Sequence, residues 1–374
     1  MKIMHLSDLH LGKRLNGFSL LYDQKHILCE IVSVAEAENP DCIIIAGDVY
    51  DRSTPSADAV ALFDEFLTML AERDFPVMVI SGNHDSPERI AYGNKMMQKS
   101  KIYLSPVYDG SVKPVVLHDD FGEVCFYLLP FVRPSSVRRF FPDVQINSYT
   151  DAVKAAVDAM NIDTDKRNIL VAHQFVTGAQ RSDSEEIYVG NLENISAEVF
   201  DVFDYTALGH IHRPQNIGSE KIRYCGTPLK YSFSEADHEK SVTIIEIGEK
   251  NSPLKIKTEI LHPLFDMQEV RGKFEDIMQI PVTKNYMRVI LTDEEMIVNA
   301  VEKLRLRFCN LMSVSYDNSR TNATPDISSP AKISEHSPIE LFALFYREVN
   351  GKDMSEEQFK TADNIIKEIW GYDK

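Results

Sequence analysis

Five short apolar runs, at residues 3–6, 42–46, 77–80, 169–172 and 205–208, end abruptly in groups that can do chemistry. After them come Asp8-Leu9-His10, Gly47-Asp48, Gly82-Asn83-His84-Asp85, His173 and Gly209-His210-Ile211-His212. One histidine behind a strand is usually a hydrogen-bonded loop residue. Five strand ends each carrying a carboxylate, carboxamide or imidazole are different, because strand ends in an open α/β sheet converge on one crevice. Left unpaired, such buried groups would cost on the order of 1 to 3 kcal/mol each. In Asp8-x-His10 and His210-x-His212 an extended backbone would aim both side chains of a pair the same way.

The candidate ligands are Asp8, His10, Asp48, Asn83, His173, His210 and His212, all oxygen or nitrogen donors without sulfur, which suits manganese, iron or zinc. Seven donors exceed what one tetrahedral ion can use. Two cations are therefore expected, with Asp48 as the bridge because a carboxylate has two oxygens. Two divalent ions against two aspartates leave a positive site, and an anion belongs there. A metal pair roughly 3.5 to 4 Å apart activates water and clamps an in-line displacement at phosphorus, so a phosphate ester is the simplest substrate. His84 stands beside Asn83 and cannot easily face the same ion. It is expected to be the catalytic general acid, with Asp85 nearby to orient it.

Elements must carry these groups. The apolar runs are continuous, as in strands buried on both faces. Residues 18–38 and 56–72 have helical spacing, the second with Ser56 as N-cap. Stretches 115–117, 124–129, 221–225, 241–247 and 254–261 read as further strands. Past residue 261 the pattern restarts as strand 286–291, helix 294–308 and strand 311–316, a small α+β unit. Residues 318–337 are rich in Ser, Asn, Thr and Pro and read as a linker. Two amphipathic helices follow at 338–349 and 355–370, with Ser337 and Ser355 as N-caps. Leu341, Phe342, Leu344, Phe345 and Tyr346 are a large apolar cluster for so short a helix, which docks back on the body or on a partner.

The expected division is a layered α/β domain at 1–261 that carries the phosphate-ester chemistry, a small α+β domain at 262–317, the linker at 318–337, and a helical segment at 338–374; the roles of cap and partner-binding segment come from the resemblance given next. The chain's 374 residues, 44% apolar and 26% charged, are ordinary for a globular protein and exclude collagen, disorder and a disulfide miniprotein. Five scattered cysteines without a C-x-x-C pair suggest neither a disulfide framework nor a thiolate zinc site. No apolar run approaches the ~18 residues of a membrane helix and no signal-peptide architecture opens the chain, so the expected place of work is the cytoplasm. Fifty-seven acidic against 40 basic residues give a formal charge of -17, a field that repels polyanions. Lys13-Arg14, Arg89, Arg133 and Arg138-Arg139 are the basic spots that could offset it locally.

In order and spacing these motifs resemble the calcineurin-like metallophosphoesterases over residues 1 to about 240. Within them, the text from His5 to Lys13, from Ala46 to Arg52 and from Asn83 to Ser86 resembles the SbcD nuclease-subunit family. So do Leu208 to Gln215 and Tyr224-Cys225-Gly226-Thr227-Pro228. The resemblance implies a two-sheet sandwich flanked by helices, a small α+β cap and C-terminal helices. It implies that Asp8, His10, Asp48 and His212 hold one ion, that Asp48, Asn83, His173 and His210 hold the other, and that His84 is catalytic. Two Mn2+ are the implied cofactors, with Mg2+, Fe or Zn2+ as alternatives. DNA bound by its backbone without sequence reading is the implied substrate, in endo- and exonucleolytic double-strand-break repair. The implied assembly is a homodimer joined to an SbcC-like ATPase with a coiled coil, docked through Leu341, Phe342, Phe345 and Tyr346. The ATPase must be another chain, since no G-x-x-x-x-G-K-[ST] loop is present here. A phosphoesterase for a small nucleotide or phosphate ester, and a non-catalytic scaffold for the ATPase, are the alternative readings.

Overall fold

The computed structural model describes residues 1–185, 194–319, 321, 337–350 and 352–370. Contacts divide the chain into two compact units, Met1–Met267 and Gln268–Lys374. Among the described residues no helix is long and apolar enough to cross a membrane.

The first unit is built on two six-stranded sheets. One runs in the order Lys255–Ile260, Ser241–Glu246, Lys2–Leu6, Cys42–Ala46, Val77–Ile80, Ile102–Leu104. The other runs Gln215–Ile217, Ser219–Tyr224, Tyr205–Gly209, Arg167–His173, Gly122–Leu128, Val115–Asp119. Each has parallel strands at its centre and antiparallel strands toward an edge. The central strands are β-branched and buried along their whole length, as CIIIA at Cys42–Ala46 and VMVI at Val77–Ile80 show. Ile3, Ile44, Met78 and Ile80 of the first sheet pack with Phe126, Ile169, Val171 and Ala207 of the second in one core cluster. All five runs flagged for chemistry are parallel strands within these two sheets, so their carboxyl ends open toward the same end of the layers.

Helices cover the outer faces. Leu21–Glu38 buries Ile27, Leu28, Ile31 and Ala35, and stops where Asn39 turns left-handed at φ 47°. It begins later than residue 18 because Phe18–Ser19 pairs with Arg14–Leu15 in a hairpin. The turn is Asn16-Gly17, both at positive φ, which is the combination that two-residue hairpins favour. Ala57–Glu72 begins as expected, with Ser56 accepting from the Ala59 amide at 3.3 Å.

The second unit contains a three-stranded sheet in the order Met267–Gly272, Tyr286–Leu291, Leu311–Tyr316. The first of these strands escapes a sequence reading because its polar residues alternate with few apolar ones. A small core of Phe274, Ile277, Met287, Val289, Leu291, Leu304 and Phe308 holds the unit together. Its helix spans only Ala300–Arg307, not 294–308, because Asn299 sits left-handed at φ 56° and cannot continue a right-handed helix. Helices Pro338–Asn350 and Glu356–Trp370 follow. Ser355 caps the second reciprocally, accepting from the Gln358 amide at 3.2 Å while its own amide donates to the Gln358 side chain at 2.9 Å. Most of the expected linker, residues 320 and 322–336, lies outside the described residues.

One buried cation ties the second sheet's edge together. Arg167 is nearly inaccessible; its guanidinium pairs with both oxygens of Asp119 and donates to the carbonyls of Gly122 at 2.8 Å and Gly248 at 3.0 Å. The Arg167 bonds hold the Asp119 carboxyl well below the usual carboxylate range, against the opposing effect of burial. Replacing Arg167 with Met should cost about 2 kcal/mol, because it takes this donor from two carbonyls and leaves the Asp119 carboxylate with only the Met1 ammonium at 2.7 Å and the Phe121 amide at 2.8 Å. Urea unfolding followed by circular dichroism would measure it. A depressed acid contributes stability above its unfolded pKa, so the gap between the parent and Arg167→Met should be constant above about pH 4 and narrow as the pH falls further.

Candidate metal centre

The seven candidate ligands come together in one buried pocket, although the two sheets supply them separately. Asp8, His10, Asp48 and Asn83 follow strands of the first sheet; His173 ends a strand of the second, and His210 and His212 follow another. Asp8, His10, Asp48, His173, His210 and His212 are all buried.

The backbone that aims them is not extended. Asp8, His10, Asp48 and His210 have φ of 54°, 43°, 48° and 102°. The expectation that pairs of ligands converge through strand alternation is therefore wrong for Asp8-x-His10, and wrong at His210 for the second pair. Left-handed residues cost free energy and persist where surrounding bonds over-determine them. Here the Asp8 amide donates to the Gly47 carbonyl at 3.0 Å and the His10 amide to the Asp48 carbonyl at 2.9 Å, so two adjacent loops brace one another.

Asp48 is the hub. Its Oδ2 lies 3.2 Å from His173 Nε2, 3.7 Å from His10 Nε2 and 3.9 Å from His84 Nε2, while Oδ1 accepts the His84 amide at 2.9 Å. On one side, His10 Nε2 stands 3.2 Å from His212 Nε2. On the other, Asn83 Oδ1 lies 3.0 Å from His173 Nε2 and 2.9 Å from His210 Nδ1. Asp8 accepts the His210 amide through both oxygens, and the Ser7 hydroxyl. Among the described residues, three sets of ligand atoms are close enough to share a cation: Asp8, His10, His212; His10, Asp48, His84; and Asp8, Asp48, His173. The last set joins Asp8 to His173, a combination the motif spacing did not suggest.

The electrostatics are those of a site short of positive charge. Burial, with Asp48 close by, raises Asp8 above the ordinary carboxylate range. Burial acts on Asp48 too, but His173, His10 and His84 outweigh it and hold this carboxyl well below that range. Burial opposes a charged His173, yet Asp48 and Asp8 prevail and raise the imidazole to about 9. His10 and His210 are driven the other way by burial, His210 to about 3. The donor set fits cations directly. Neutral imidazole nitrogens 3.2 Å apart, His10 Nε2 and His212 Nε2, repel unless a proton or a cation lies between them, and His10 Nδ1 is buried with no hydrogen-bond partner.

His84 enters the pocket from a more open position, 18% exposed, whereas His10, His173 and His212 are 2%, 0% and 3%. Asp85 does not orient it. The Asp85 carboxylate instead accepts the amides of Val49, Tyr50 and Gly82 at 2.9 to 3.0 Å, and ties the Asp48 loop to the Asn83 loop. The residue that does orient His84 is Asp51, whose carbonyl oxygen lies 3.0 Å from Nδ1 and whose carboxylate is paired with Lys13 at 2.8 Å. Asp51 lay within a motif but carried no spacing signal of its own. Ser184, Glu185, Glu235 and Lys240, which surround His212, were also missed; they stand in polar stretches without a pattern. Of the basic spots, Lys13 is engaged by Asp51 and Arg138 by the Ile146 carbonyl.

Over residues 1–214 the chain matches the family described as calcineurin-like phosphoesterase, and over 263–350 the family described as type 5 capsule protein repressor C-terminal domain. The SbcD subunit of the SbcCD nuclease from Staphylococcus epidermidis is 35% identical over 377 residues, covering 98% of each chain. The protein of the same name from Staphylococcus saprophyticus is 35% identical over 382 residues, again 98% of each. Among solved structures, a dimetal phosphatase from Danio rerio aligns with 69% of this chain and 95% of its own, at 10% identity and a TM-score of 0.41.

Two glycines make the pocket possible. A Cβ on Gly47, at φ 89°, would lie 2.5 Å from His173 Nδ1; one on Gly82 would lie 2.1 Å from Asp48 Oδ1. Gly82→Ala should therefore push the hub carboxylate out of place and, because the same Cβ would lie 2.5 Å from the Asp48 backbone nitrogen, displace the loop as well, lowering the divalent metal retained per folded chain at least tenfold and the urea midpoint with it. Elemental analysis after gel filtration would check it.

Proposed function

The chain belongs to the calcineurin-like phosphoesterases and, within them, to the SbcD nuclease-subunit family, and on that footing we propose that this metal-dependent phosphodiesterase works with two divalent cations on DNA. The observation that carries the reading is the place of Asp48 Oδ2, within 4 Å of His10 on one flank and of His173 on the other. Asp8, His10, Asp48 and His212 would hold one cation, and Asp48, Asn83, His173 and His210 the second. Manganese is the proposed metal, on the oxygen and nitrogen donors. Cations held there supply Lewis acidity, stabilising negative charge at phosphorus and making water nucleophilic at neutral pH.

The chain's own groups do the rest. His84 Nδ1 donates to the Asp51 carbonyl, which leaves Nε2 directed into the pocket beside Asp48. When the ring so fixed also carries a proton on Nε2, as the imidazolium, it gives that proton to the leaving oxygen as the phosphodiester breaks, and the neutral ring regains one from water. Burial of the surrounding ligands keeps bulk water from screening these charges.

The functional division proposed is 1–261 for hydrolysis, 262–317 for capping, 318–337 as linker and 338–374 for docking an ATPase partner. A small phosphate ester would need no residues beyond 261, and this favours DNA. On Pro338–Asn350, Phe342 and Phe345 are 41% and 60% exposed, with Leu341 and Tyr346 half-buried beside them. Such a helix suits a coiled-coil partner with a complementary apolar face. Two copies of the chain with two SbcC-like subunits, acting in the cytoplasm, complete the proposal. With a net charge of -17, DNA contact is confined to backbone phosphates near the site and the partner's surface, so binding weakens steeply with salt.

Manganese, a DNA duplex and the ATPase partner together should give cleavage stimulated by ATP; no cleavage under any combination would refute the reading. His84→Gln should slow cleavage by roughly 10²- to 10⁴-fold while the chain keeps its manganese, which separates the proton donor from the ligands. Phe345→Asp should weaken co-purification with the ATPase and leave metal content unchanged.

A further inference from the structure

Behind His212 lies a line of side chains that none of the roles above requires. His212 Nδ1 is 2.6 Å from Ser184 Oγ, and that hydroxyl is 2.5 Å from Glu235 Oε1. The other Glu235 oxygen is 2.5 Å from Lys240 Nζ, which also donates to Thr227 Oγ1 at 2.7 Å and to the His212 carbonyl at 3.0 Å. Glu235 is fully buried and Lys240 nearly so. Lys240 thus spends its three hydrogens on three acceptors, one of them the backbone of the residue the line serves. The His212 amide, in turn, donates to Glu185 Oε1 at 2.8 Å. His212 is gripped at its ring, its amide and its carbonyl.

Proton counting gives the line a direction. A serine hydroxyl has one hydrogen, and an ionised carboxylate can only accept. Glu235 is the carboxylate that neutralises the buried Lys240 ammonium 2.5 Å away, so it acts here as an acceptor. The Ser184 hydrogen therefore goes to Glu235, and the Ser184 oxygen is left to accept from His212. The donor there is Nδ1–H, so in the neutral ring Nε2 carries the lone pair. That lone pair faces His10 Nε2 in the group formed by Asp8, His10 and His212.

We propose that Ser184, Glu235 and Lys240 are positioning residues that lock His212 in its Nδ1–H tautomer and present Nε2 to a divalent cation. The proposal rests on the reading of His212 as a metal ligand. His173 donates its own Nδ1–H to a backbone acceptor, the Ala46 carbonyl at 2.8 Å, which no substitution removes. At His212 the acceptor is a side chain, and the line is needed because Glu235 itself stops 3.6 Å short of the ring. A carboxylate at the far end also raises the basicity of the ligand nitrogen, as acceptors behind metal-bound histidines do.

Ser184→Ala removes the link and leaves the Glu235 and Lys240 pair in place. Titration of the metal-free full chain with Mn2+ in a calorimeter should show one of two sites weakened by roughly 10- to 100-fold and the other unchanged, with Ser184→Thr restoring the first. In the same metal-free parent chain, labelled with 15N-histidine, the His212 ring should report Nδ1–H, and in Ser184→Ala a mixture of tautomers. The parent measurement holds even if Ser184→Ala fails to fold. An Nε2–H tautomer in the parent, or undiminished manganese affinity in Ser184→Ala, overturns this proposal alone. A parent chain that takes up no manganese overturns the metal reading of the site and this proposal with it.

Discussion

Two buried carboxylates set the terms for the rest of the molecule. Asp8 and Asp48 are withdrawn from water at the meeting point of two sheets, and an anion in that setting requires compensation. Imidazoles supply it from both sheets, His173 most strongly, and the contest shows in the opposite shifts of the two aspartates. A pocket that draws positive charge onto a histidine is one in which a divalent cation can replace protons. Metal affinity and acid chemistry are here two aspects of one electrostatic deficit.

The fold meets this demand by bringing backbones unusually close. Gly47, Gly82 and Gly209 lack the Cβ atoms that would strike His173, Asp48 or the Ala46 carbonyl. Asp8, His10, Asp48 and His210 hold left-handed conformations that only a braced loop sustains. Asp85 does that bracing from within, as a buried carboxylate raised to about 7 by burial and by Asp48, yet satisfied by three backbone amides. Rigidity in these loops is what allows side chains separated by some 200 residues to stand within 4 Å, His10 and His212 among them.

The acidic surface and the two C-terminal helices fit the proposed division of labour. A chain that repels polyanions at long range does not gather DNA by diffusion alone. On the proposed reading, attraction is left to the cation pocket and to a partner, for which the exposed phenylalanines of Pro338–Asn350 would be an apolar handle. The second unit has its own small core.

The amino-acid sequence by itself determined the central strands, the family and the seven side chains that gather in the buried pocket. Continuous β-branched runs such as Cys42–Ala46 have one stable fate between two layers, and a metal pocket needs ligand types that no ordinary loop collects. Helix ends were less legible: Asn16-Gly17 diverted the start of Leu21–Glu38 into a hairpin, and Asn299 shortened Ala300–Arg307. Tertiary structure alone decided which candidate ligands lie near one another, that Asp51 rather than Asp85 orients His84, and that Ser184, Glu235 and Lys240 stand behind His212. The reason is physical. A ligand's identity is written in its side chain, whereas its tautomer, its charge and its partner depend on atoms that arrive from distant parts of the chain only when the two sheets close on each other.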